Sequence, residues 1–249
     1  MAIKNIEFEN FTAFRNLEMS CSPGINVIVG ENGAGKTHIM KAAYAAASVS
    51  GETKPAFGRK LADVFLPAGD QIGRLVHRQK GSATAYITIS FEKGHINAGF
   101  SNHSKIPENV KTHKSIENET EESYNVYIPV KEILSNAPGF RSIYEEREIS
   151  FDATYNDILK LAYLPAKRGR RHQVHRDLLP KIEQAISGKV VIEGEHFYLR
   201  NQQGNLEFSL VAEGWRKLAL VWQLIQNGVL WNGSILFWDE PETNLHPKL

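Results

Sequence analysis

The sequence contains one cysteine, Cys21, and no apolar run of the length that spans a bilayer. A lone cysteine cannot form an internal disulfide, which excludes a disulfide-stabilised scaffold and gives no reason to expect an oxidising compartment. A membrane helix needs roughly 18–20 apolar residues. The N-terminal residues MAIKNIEFEN mix charged and apolar side chains and lack the apolar core of a signal peptide. These absences predict a cytoplasmic protein without a membrane partner.

Excess charge of one sign is also missing, because 29 lysines and arginines face 28 aspartates and glutamates and the net charge is +1. This balance excludes a histone-like protein that coats nucleic acid through bulk charge, although it is compatible with a local basic patch. Hydrophobic residues make up 42% of the 249 residues, which is enough for a buried core. The composition therefore predicts a globular protein of one large or two small domains.

The spacing of apolar residues predicts a coarse order of elements. Strand patterns occupy residues 3–14, 25–29, 83–91, 95–101, 125–130 and 234–238, with a β-meander over residues 189–208. Helical patterns occupy residues 36–49, 131–135, 150–164, 176–186 and 213–226. Residues 51–123 are predicted to form a β-rich or irregular insertion, because glycine, proline and polar residues are scattered through them. Residues 25–29 and 234–238 are expected to be short buried strands.

A glycine-rich loop between a strand pattern and a helix pattern fits the spacing G-x-x-x-x-G-K-[ST]. Its residues are Gly30, Glu31, Asn32, Gly33, Ala34, Gly35, Lys36 and Thr37. Glycines let the backbone turn so that its N–H groups point inward at a helix N-terminus, where the helix dipole favours an anion. We expect Lys36 to reach the β- and γ-phosphates of a nucleotide and Thr37 to offer its hydroxyl to Mg²⁺. A chance match in a glycine-rich turn is the alternative, and the flanking strand and helix patterns disfavour it.

An acidic pair, Asp239 and Glu240, follows the apolar run ILFW at the end of the last predicted strand. Open α/β sheets bind their ligands at this edge, outside the carboxyl ends of the strands. We expect Asp239 to hold Mg²⁺ through water and Glu240 to orient or deprotonate the attacking water. Carboxylates are common at strand ends, so the pair indicates a nucleotide site because the phosphate loop accompanies it.

The loop GENGAGKT and the terminal block LFWDEPETNLHP resemble the ABC-type ATPase heads of the SMC, Rad50 and OLD group. With the stretches YIPVKEILSNAPGF, YLP and LVAEGWRKLAL, they are similar to stand-alone bacterial AAA-family ATPases of the AAA15 or AAA21 type. The resemblance implies an α/β P-loop NTPase fold for a single head over residues 1–249. Its parts would be a RecA-like core, an antiparallel β subdomain and a helical lobe with the signature helix over residues 131–226. It also implies ATP held between two heads arranged head to tail, in a homodimer or higher oligomer.

The signature segment departs from the pattern of that family. Residues 211–214, VAEG, stand where the superfamily has Leu-Ser-Gly-Gly, so Ala212 replaces the serine that contacts the γ-phosphate bound to the partner head. The resemblance leaves Gly214 and the backbone N–H groups of the helix start as phosphate ligands, with Arg216 or Lys217 adding positive charge. The competing interpretation is an ordinary amphipathic helix.

Two further positions take expected roles from the same resemblance. Asn244 occupies the loop that crosses the dimer interface of such heads. Glu132 follows the strand pattern NVYIPV, at the place of a glutamine that binds Mg²⁺ and the attacking water in the family. A glutamate on a surface helix is an equally good interpretation of Glu132.

A basic cluster extends over residues 167–176 and contains Lys167, Arg168, Arg170, Arg171 and Arg176. Such a cluster can bind the phosphate backbone of a nucleic acid or an acidic surface of a partner protein. A solvated loop is the alternative interpretation.

The resemblance also bears on where the chain stops. His246 follows the acidic pair too soon to be the switch histidine of the family, which lies beyond one further helix and strand. The chain is therefore expected to lack the final strand and the switch-histidine segment of a complete head, and its ATP hydrolysis is expected to be weak.

Three hypotheses of function follow. The first is Mg-dependent ATP binding and hydrolysis by a dimerising head that drives or gates a partner effector, by analogy a nuclease or toxin of bacterial phage defence. The second is a nucleotide-gated regulatory module with little turnover, which the departure at Ala212 favours. The third, the nucleotide-binding subunit of a transporter, is disfavoured by the long stretch between the phosphate loop and the signature and by the sequence YIPVKEIL.

Overall fold

The protein is represented by a computed structural model that describes residues 2–49, 56–116, 124–147, 151–167, 169, 173–231 and 233–245. The chain divides into two compact units, the N-terminal unit of residues 1–125 and the C-terminal unit of residues 126–249. Over the described ranges, no helix has the length and apolar character that crossing a bilayer requires. His246 lies outside the described residues.

A five-stranded antiparallel sheet forms the body of the N-terminal unit. Its strands are β1 (Ile3–Phe11), β2 (Phe14–Ser20), β3 (Thr84–Phe91), β4 (Gly94–Ser101) and β5 (Lys111–Ile116), in the order β2-β1-β3-β4-β5. Successive side chains alternate between the faces, so Phe8 and its partner Ile87 are both buried while the neighbouring Tyr86 is exposed. The strands predicted near residues 3–14, 83–91 and 95–101 are confirmed.

Two helices of the N-terminal unit pack against each other: α1 (Lys36–Ser48) and α2 (Phe57–Phe65). Helix α1 is rich in alanine, the best helix former, and all its alanines from Ala42 to Ala47 are buried. Aromatic rings fill the core, since the ring of Phe11 lies 5.0 Å from that of Phe8 and 5.6 Å from that of Phe65. The predicted helix over residues 36–49 is confirmed.

Residues 25–29 do not form the predicted buried strand. Ile25, Val27 and Val29 are 89%, 78% and 83% exposed, and the segment has no regular secondary structure. A strand inside a parallel sheet depends on hydrogen bonds to neighbouring strands. No described strand pairs with this segment. The prediction was wrong because an apolar sequence alone does not supply those partners.

The β structure predicted for residues 51–123 is present in the described part of that range, where it belongs to the main sheet of the N-terminal unit. Strands β3 to β5 lie in this stretch, and β3 pairs with β1, so they continue the sheet that the first strands begin. Helix α2 also lies here, with Phe57, Leu61 and Val64 buried at helical spacing. The prediction of irregular structure around α2 was wrong, because Gly58 and the charged residues of that helix obscured the spacing.

In the described part of the C-terminal unit there are four helices and two small sheets. The helices are α3 (Phe140–Arg147), α4 (Ala153–Ala162), α5 (Gln173–Ala185) and α6 (Glu213–Gln226). One sheet joins β6 (Asn125–Ile128) to β10 (Ile235–Trp238), and the other is a meander of β7 (Lys189–Glu193), β8 (His196–Asn201) and β9 (Gly204–Glu207). Helix α6 packs against α4 and α5. The predicted meander and the helix over residues 213–226 are confirmed.

Two expectations for the C-terminal unit need correction, and one helix was not predicted. The helix predicted at residues 131–135 is a single 3-10 turn at Leu134–Asn136, and α3 was not predicted. The strand predicted at residues 234–238 is present as β10, but it pairs with β6 alone among the described strands. Because Leu236 is 40% exposed, β10 is not buried on both faces as a central strand would be.

Candidate nucleotide site

The phosphate loop of the N-terminal unit turns through glycines in conformations that other residues avoid. Gly33 has φ +83° and Gly35 has φ +95°, both in the left-handed region where a Cβ is strained. Residues 31–34 are exposed, while Gly35 is buried at the start of α1. The backbone of residues 31–34 is therefore accessible to solvent, and the buried Gly35 fixes the end of the loop at α1.

Gly35 is also required by packing. A Cβ at this position would lie 2.5 Å from Cζ of Phe14 and 3.1 Å from Cβ of Ala13, distances too short for carbon contacts. The ring of Phe14 is itself held by Phe8, with the ring centroids 5.8 Å apart. The hairpin turn between β1 and β2 thus supports the phosphate loop, a contact that the sequence motif does not reveal.

The N-terminus of α1 is suited to an anion. Gly35 is the N-cap, no acidic residue lies in the first turn, and no side chain among the described residues caps the helix. The first N–H groups of an α-helix lack intrahelical partners, and the helix dipole adds partial positive charge. Nζ of Lys36 donates to the carbonyl oxygens of Gly30 at 2.7 Å and Glu31 at 2.9 Å, so the ammonium lies against the loop. These donors, with the half-buried Thr37 in the same turn, fit the phosphates of ATP and an accompanying Mg²⁺.

In the C-terminal unit, Asp239 is held at the end of β10 by a buried tyrosine. Its backbone N–H donates to the carbonyl oxygen of Ile128 at 3.0 Å, and its carboxylate accepts a hydrogen bond from the hydroxyl of Tyr127 at 3.0 Å. Asp239 is only 5% exposed. Burial, and then the negative charge of Asp239, raise the pKa of Tyr127 well above its usual value, so this hydroxyl stays a donor. Tyr127 was not predicted as a site residue, because its neighbours Val126 and Ile128 are apolar and the strand looked like part of the core.

Glu240 differs from its neighbour in being exposed. Its φ of +46° lies in the left-handed region, which turns the chain sharply after β10. The Glu240 carboxylate accepts a hydrogen bond from the hydroxyl of Thr243 at 3.1 Å, and its carbonyl accepts one from the Thr243 N–H at the same distance. The acidic pair therefore consists of one buried, fixed carboxylate and one exposed carboxylate.

The first turn of α6 is docked onto the loop that follows the acidic pair. A Cβ on Gly214 would lie 2.3 Å from the carbonyl oxygen of Asn244, so only glycine permits this approach. Lys217 is 1% exposed, and its Nζ donates to the carbonyl oxygen of Thr243 at 2.9 Å. Gly214, predicted as a phosphate ligand, and Asn244, predicted as an interface residue, are thus in contact with each other. Asn244 itself is exposed, with φ +63°.

Arg216 and Glu132 form a buried ion pair. Nε of Arg216 lies 2.7 Å from Oε2 of Glu132, whose side chain is fully buried. Arg216 also donates to the carbonyl oxygens of Phe208 and Val211, and Glu132 accepts hydrogen bonds from Ser135. Burial raises the pKa of Glu132, and the guanidinium opposes that shift. Both side chains therefore join α6 to the turn after β6, a positioning role that competes with the predicted phosphate and Mg²⁺ contacts.

The basic cluster over residues 167–176 is only partly described. Arg168, Arg170 and Arg171 lie outside the described residues. Lys167 places its ammonium over the ring of Trp231 at 4.4 Å, and the guanidinium of Arg176 donates to the side chain of Gln173. Nothing about these two contacts is specific to nucleic acid.

A protein-family model described as "AAA domain, putative AbiEii toxin, Type IV TA system" matches residues 25–249. The match contains both the phosphate loop and the acidic pair. The chain belongs to this AAA family. The match confirms the resemblance to the ATPase heads and the α/β P-loop class that the motifs predicted.

Several curated proteins are similar to this AAA-family chain over part of its length. The DNA double-strand break repair Rad50 ATPase of Methanosarcina acetivorans is 25% identical over 190 residues, which are 68% of this chain and 16% of that protein. The Rad50 ATPase of Methanococcus maripaludis is 33% identical over 92 residues, 37% of this chain and 8% of that protein. The DNA replication and repair protein RecF of Chlorobium phaeovibrioides is 37% identical over 93 residues, 37% of this chain and 24% of that protein. The AAA-family chain spans less than a quarter of each.

Two solved structures show a remote likeness. The SMC head domain from Thermotoga maritima is 14% identical, with a TM-score of 0.46 and coverage of 100% of this chain and 81% of that chain. The recombination mediator protein RecF bound to ATP is 14% identical, with a TM-score of 0.45 and coverage of 99% and 87%. At this distance the likeness assigns no role to any residue of the AAA-family chain.

Proposed function

We propose that this chain binds Mg-ATP at its phosphate loop and hydrolyses it. The observation that carries the proposal is the uncapped N-terminus of α1, preceded by left-handed Gly33 and Gly35 and by Lys36, whose ammonium lies against the loop. Backbone N–H groups, a helix dipole and a lysine together make a site for a polyphosphate. Membership of the AAA family supports the same activity.

The roles of the individual residues follow from their chemistry. Lys36 would neutralise the β- and γ-phosphates, and the hydroxyl of Thr37 and the carboxylate of Asp239 would hold the metal. Bound Mg²⁺ would supply positive charge to the phosphoryl group as its negative charge is redistributed. The Tyr127 hydroxyl fixes the orientation of the Asp239 carboxylate, so that this ligand is positioned before any metal binds.

Glu240 is the proposed general base. Its carboxylate is exposed, unlike that of Asp239, and can reach a water molecule in solvent. The hydrogen bond from Thr243 restricts its orientation. Such a group orients the attacking water and accepts its proton.

We further propose that two such heads associate head to tail on ATP and that the association drives or gates a partner effector. The exposed Asn244 and the uncapped start of α6 would then face the second head. The contact of Gly214 with Asn244 and the hydrogen bond from Lys217 to Thr243 support a concerted movement of these two segments. A nuclease or toxin of phage defence is the proposed effector, by analogy with related ATPases. The family description prints a putative toxin and therefore supports the toxin alone.

A second candidate function is a nucleotide-gated regulatory module with little turnover. Ala212, the N-cap of α6, has no hydroxyl that could contact a phosphate across a dimer interface. Loss of that contact would weaken transition-state stabilisation more than nucleotide binding. The module would bind ATP and change its oligomeric state without rapid hydrolysis.

Steady-state Mg-ATP turnover of the wild type and of the Glu240→Gln variant, with the oligomeric state measured in both, separates these functions. The ATPase predicts turnover by the wild type and an ATP-stabilised dimer of the inactive variant. The gating module predicts an ATP-dependent dimer of the wild type without turnover. Failure of the wild type to bind ATP, or Lys36→Ala binding it equally well, would refute both.

A further inference from the structure

A cleft in the N-terminal unit is lined mainly by polar side chains, two of which are arginines. Its volume is about 440 Å³, and its polar lining consists of Arg74, His77, Arg78, Gln79 and Asn102. Lys80, His103 and Lys105 lie next to these residues in the chain and are exposed. The cleft is outside the phosphate loop and outside the basic cluster over residues 167–176.

Among the described residues, the carboxylates closest in sequence to this cleft pair with an arginine outside it. Residues 66–83 and 101–110 contain two acidic residues, Asp70 and Glu108, and both pair with Arg59. The hydrogen bond from the guanidinium of Arg59 holds the pKa of Asp70 below its usual range. Within the described ranges, neither Arg74 nor Arg78 takes part in an ion pair.

Backbone hydrogen bonds hold the walls of the cleft in place. The N–H of Gly73 donates to the carbonyl oxygen of Ser104 at 2.8 Å, and a Cβ on Gly73 would collide with that oxygen at 2.7 Å. The Asn102 side chain bridges the two walls, donating to the carbonyl of Gly81 and accepting from the N–H of Ala83. His77 donates through Nδ1 to the carbonyl oxygen of Thr12 at 2.9 Å, which fixes its ring. These hydrogen bonds therefore fix the backbone that carries Arg74 and Arg78 before any ligand binds.

We propose that this cleft binds the phosphodiester backbone of a nucleic acid. Arginine, lysine, asparagine and glutamine donors are the groups that contact phosphate oxygens in nucleic-acid complexes. Protein interfaces depend on aromatic and apolar anchors at their centre. The cleft has none, because its one large apolar residue, Val76, is 4% exposed and forms part of the core. The charge and the donor set therefore fit a polyanion recognised by its backbone.

Fluorescence anisotropy of a labelled DNA duplex of random sequence, measured with the full chain over a series of KCl concentrations, tests the proposal. Arg74→Gln combined with Arg78→Gln is expected to weaken binding and to reduce the slope of log K against log [KCl] by about 2, near one unit per lost phosphate contact. Thermal unfolding and ATP binding of this double variant are expected to match the wild type, which keeps the result separate from the ATPase proposal.

A matched control removes two charges at the opposite end of the same sheet. Lys4 lies near the start of β1, and Lys93 lies in the turn between β3 and β4. Lys4→Gln combined with Lys93→Gln is expected to leave the salt slope unchanged. Arg74→Lys combined with Arg78→Lys keeps both charges and is expected to retain the slope.

Three results would overturn the proposal. The first is no binding of the duplex by the wild type. The second is a wild-type salt slope in the Arg74→Gln, Arg78→Gln variant. The third is an equal reduction of the slope in the Lys4→Gln, Lys93→Gln control. Loss of affinity for a polyglutamate peptide with unchanged affinity for the duplex would assign the cleft to an acidic protein partner instead.

Discussion

Gly35 meets two demands at one residue: a φ of +95° and the absence of any room for a Cβ beside Phe14. Gly35→Ala is expected to lower the free energy of unfolding by about 1–3 kcal/mol and to abolish ATP binding, because the loop or the β1–β2 turn must shift. Urea denaturation and ATP titration measure the two effects. Gly24→Ala is the matched control, since Gly24 has φ +92° and open space around its Cα. Equal loss of ATP binding in both variants would contradict the packing argument.

Tyr127 positions the carboxylate of Asp239 through one buried hydrogen bond. Tyr127→Phe removes the donor without changing the ring, and is expected to lower the free energy of unfolding by about 1–3 kcal/mol. Mg-ATP turnover is expected to fall with a smaller change in KM, because the metal ligand is less well oriented. Tyr198→Phe in β8 removes a hydroxyl away from the site and is expected to alter neither quantity. Unchanged turnover in Tyr127→Phe would refute the positioning role.

We expect His38 to make the stability of the N-terminal unit depend on pH. Burial, and then the nearby Lys41, lower its pKa from the ordinary 6.5. Its Nδ1 atom is buried and has no hydrogen-bond partner among the described residues. As the pH falls through 6.5, the unfolded chain binds a proton at this residue that the folded chain does not, so the stability decreases until the lower folded-state pKa is reached. Chemical denaturation at several pH values should show this decrease in the wild type and a smaller one in His38→Gln. Identical pH profiles would contradict the assignment.

At the scale of elements, Lys217 and Gly214 join α6 to the loop over residues 240–245. Lys217→Met keeps the length of the side chain and removes the bond to Thr243. Removal of a buried charge offsets much of the lost hydrogen bond, so the free energy of unfolding is expected to change by less than about 1.5 kcal/mol. Turnover is expected to fall while ATP affinity is retained, because the loop that carries Glu240 loses its support. Leu218→Met, the neighbouring change, is expected to leave turnover unaltered.

Elements with a strong local pattern were predictable from the sequence, and those that depend on partners were not. Helix α6 has the predicted bounds because its apolar residues repeat at helical spacing along the whole element. Residues 25–29 have an equally apolar sequence, but a strand also needs neighbours, which a single sequence does not specify. Helix α3 was missed because its short sequence FRSIYEER is mostly polar and has too few apolar residues to show a helical repeat.

The candidate site shows the same division. The phosphate loop and the acidic pair could be recognised in the sequence by residue type and spacing, and their roles stay predictions. Tyr127 and Thr243 were not predicted as partners of the acidic pair, because their hydrogen bonds depend on the packing of β6 against β10 and on the turn after it. Glu132 was predicted as a Mg²⁺ ligand, and its burial against Arg216 could not be foreseen from two residues 84 positions apart.

At the scale of the whole molecule, a net charge of +1 conceals an uneven distribution. The cleft that contains Arg74 and Arg78 lies beside residues 74–80 and residues 102–105. The hydrogen bond from Gly73 to Ser104 holds these two segments together. The overall composition does not reveal such a surface. The sequence instead predicted a nucleic-acid contact at the compact basic cluster over residues 167–176. The match to the AAA family contains both the phosphate loop and the acidic pair. The proposed function depends first on ATP binding at the phosphate loop.

Isothermal titration of the full chain with Mg-ATP, beside the Lys36→Ala variant, tests that dependence most directly. Loss of one charge-assisted contact to phosphate is worth about 1.5–3 kcal/mol, so the variant is expected to bind roughly 10- to 150-fold more weakly than the wild type. We expect saturable binding by the wild type and this loss in the variant. No binding by the wild type, or equal affinity of the two proteins, would contradict an ATP site at the phosphate loop.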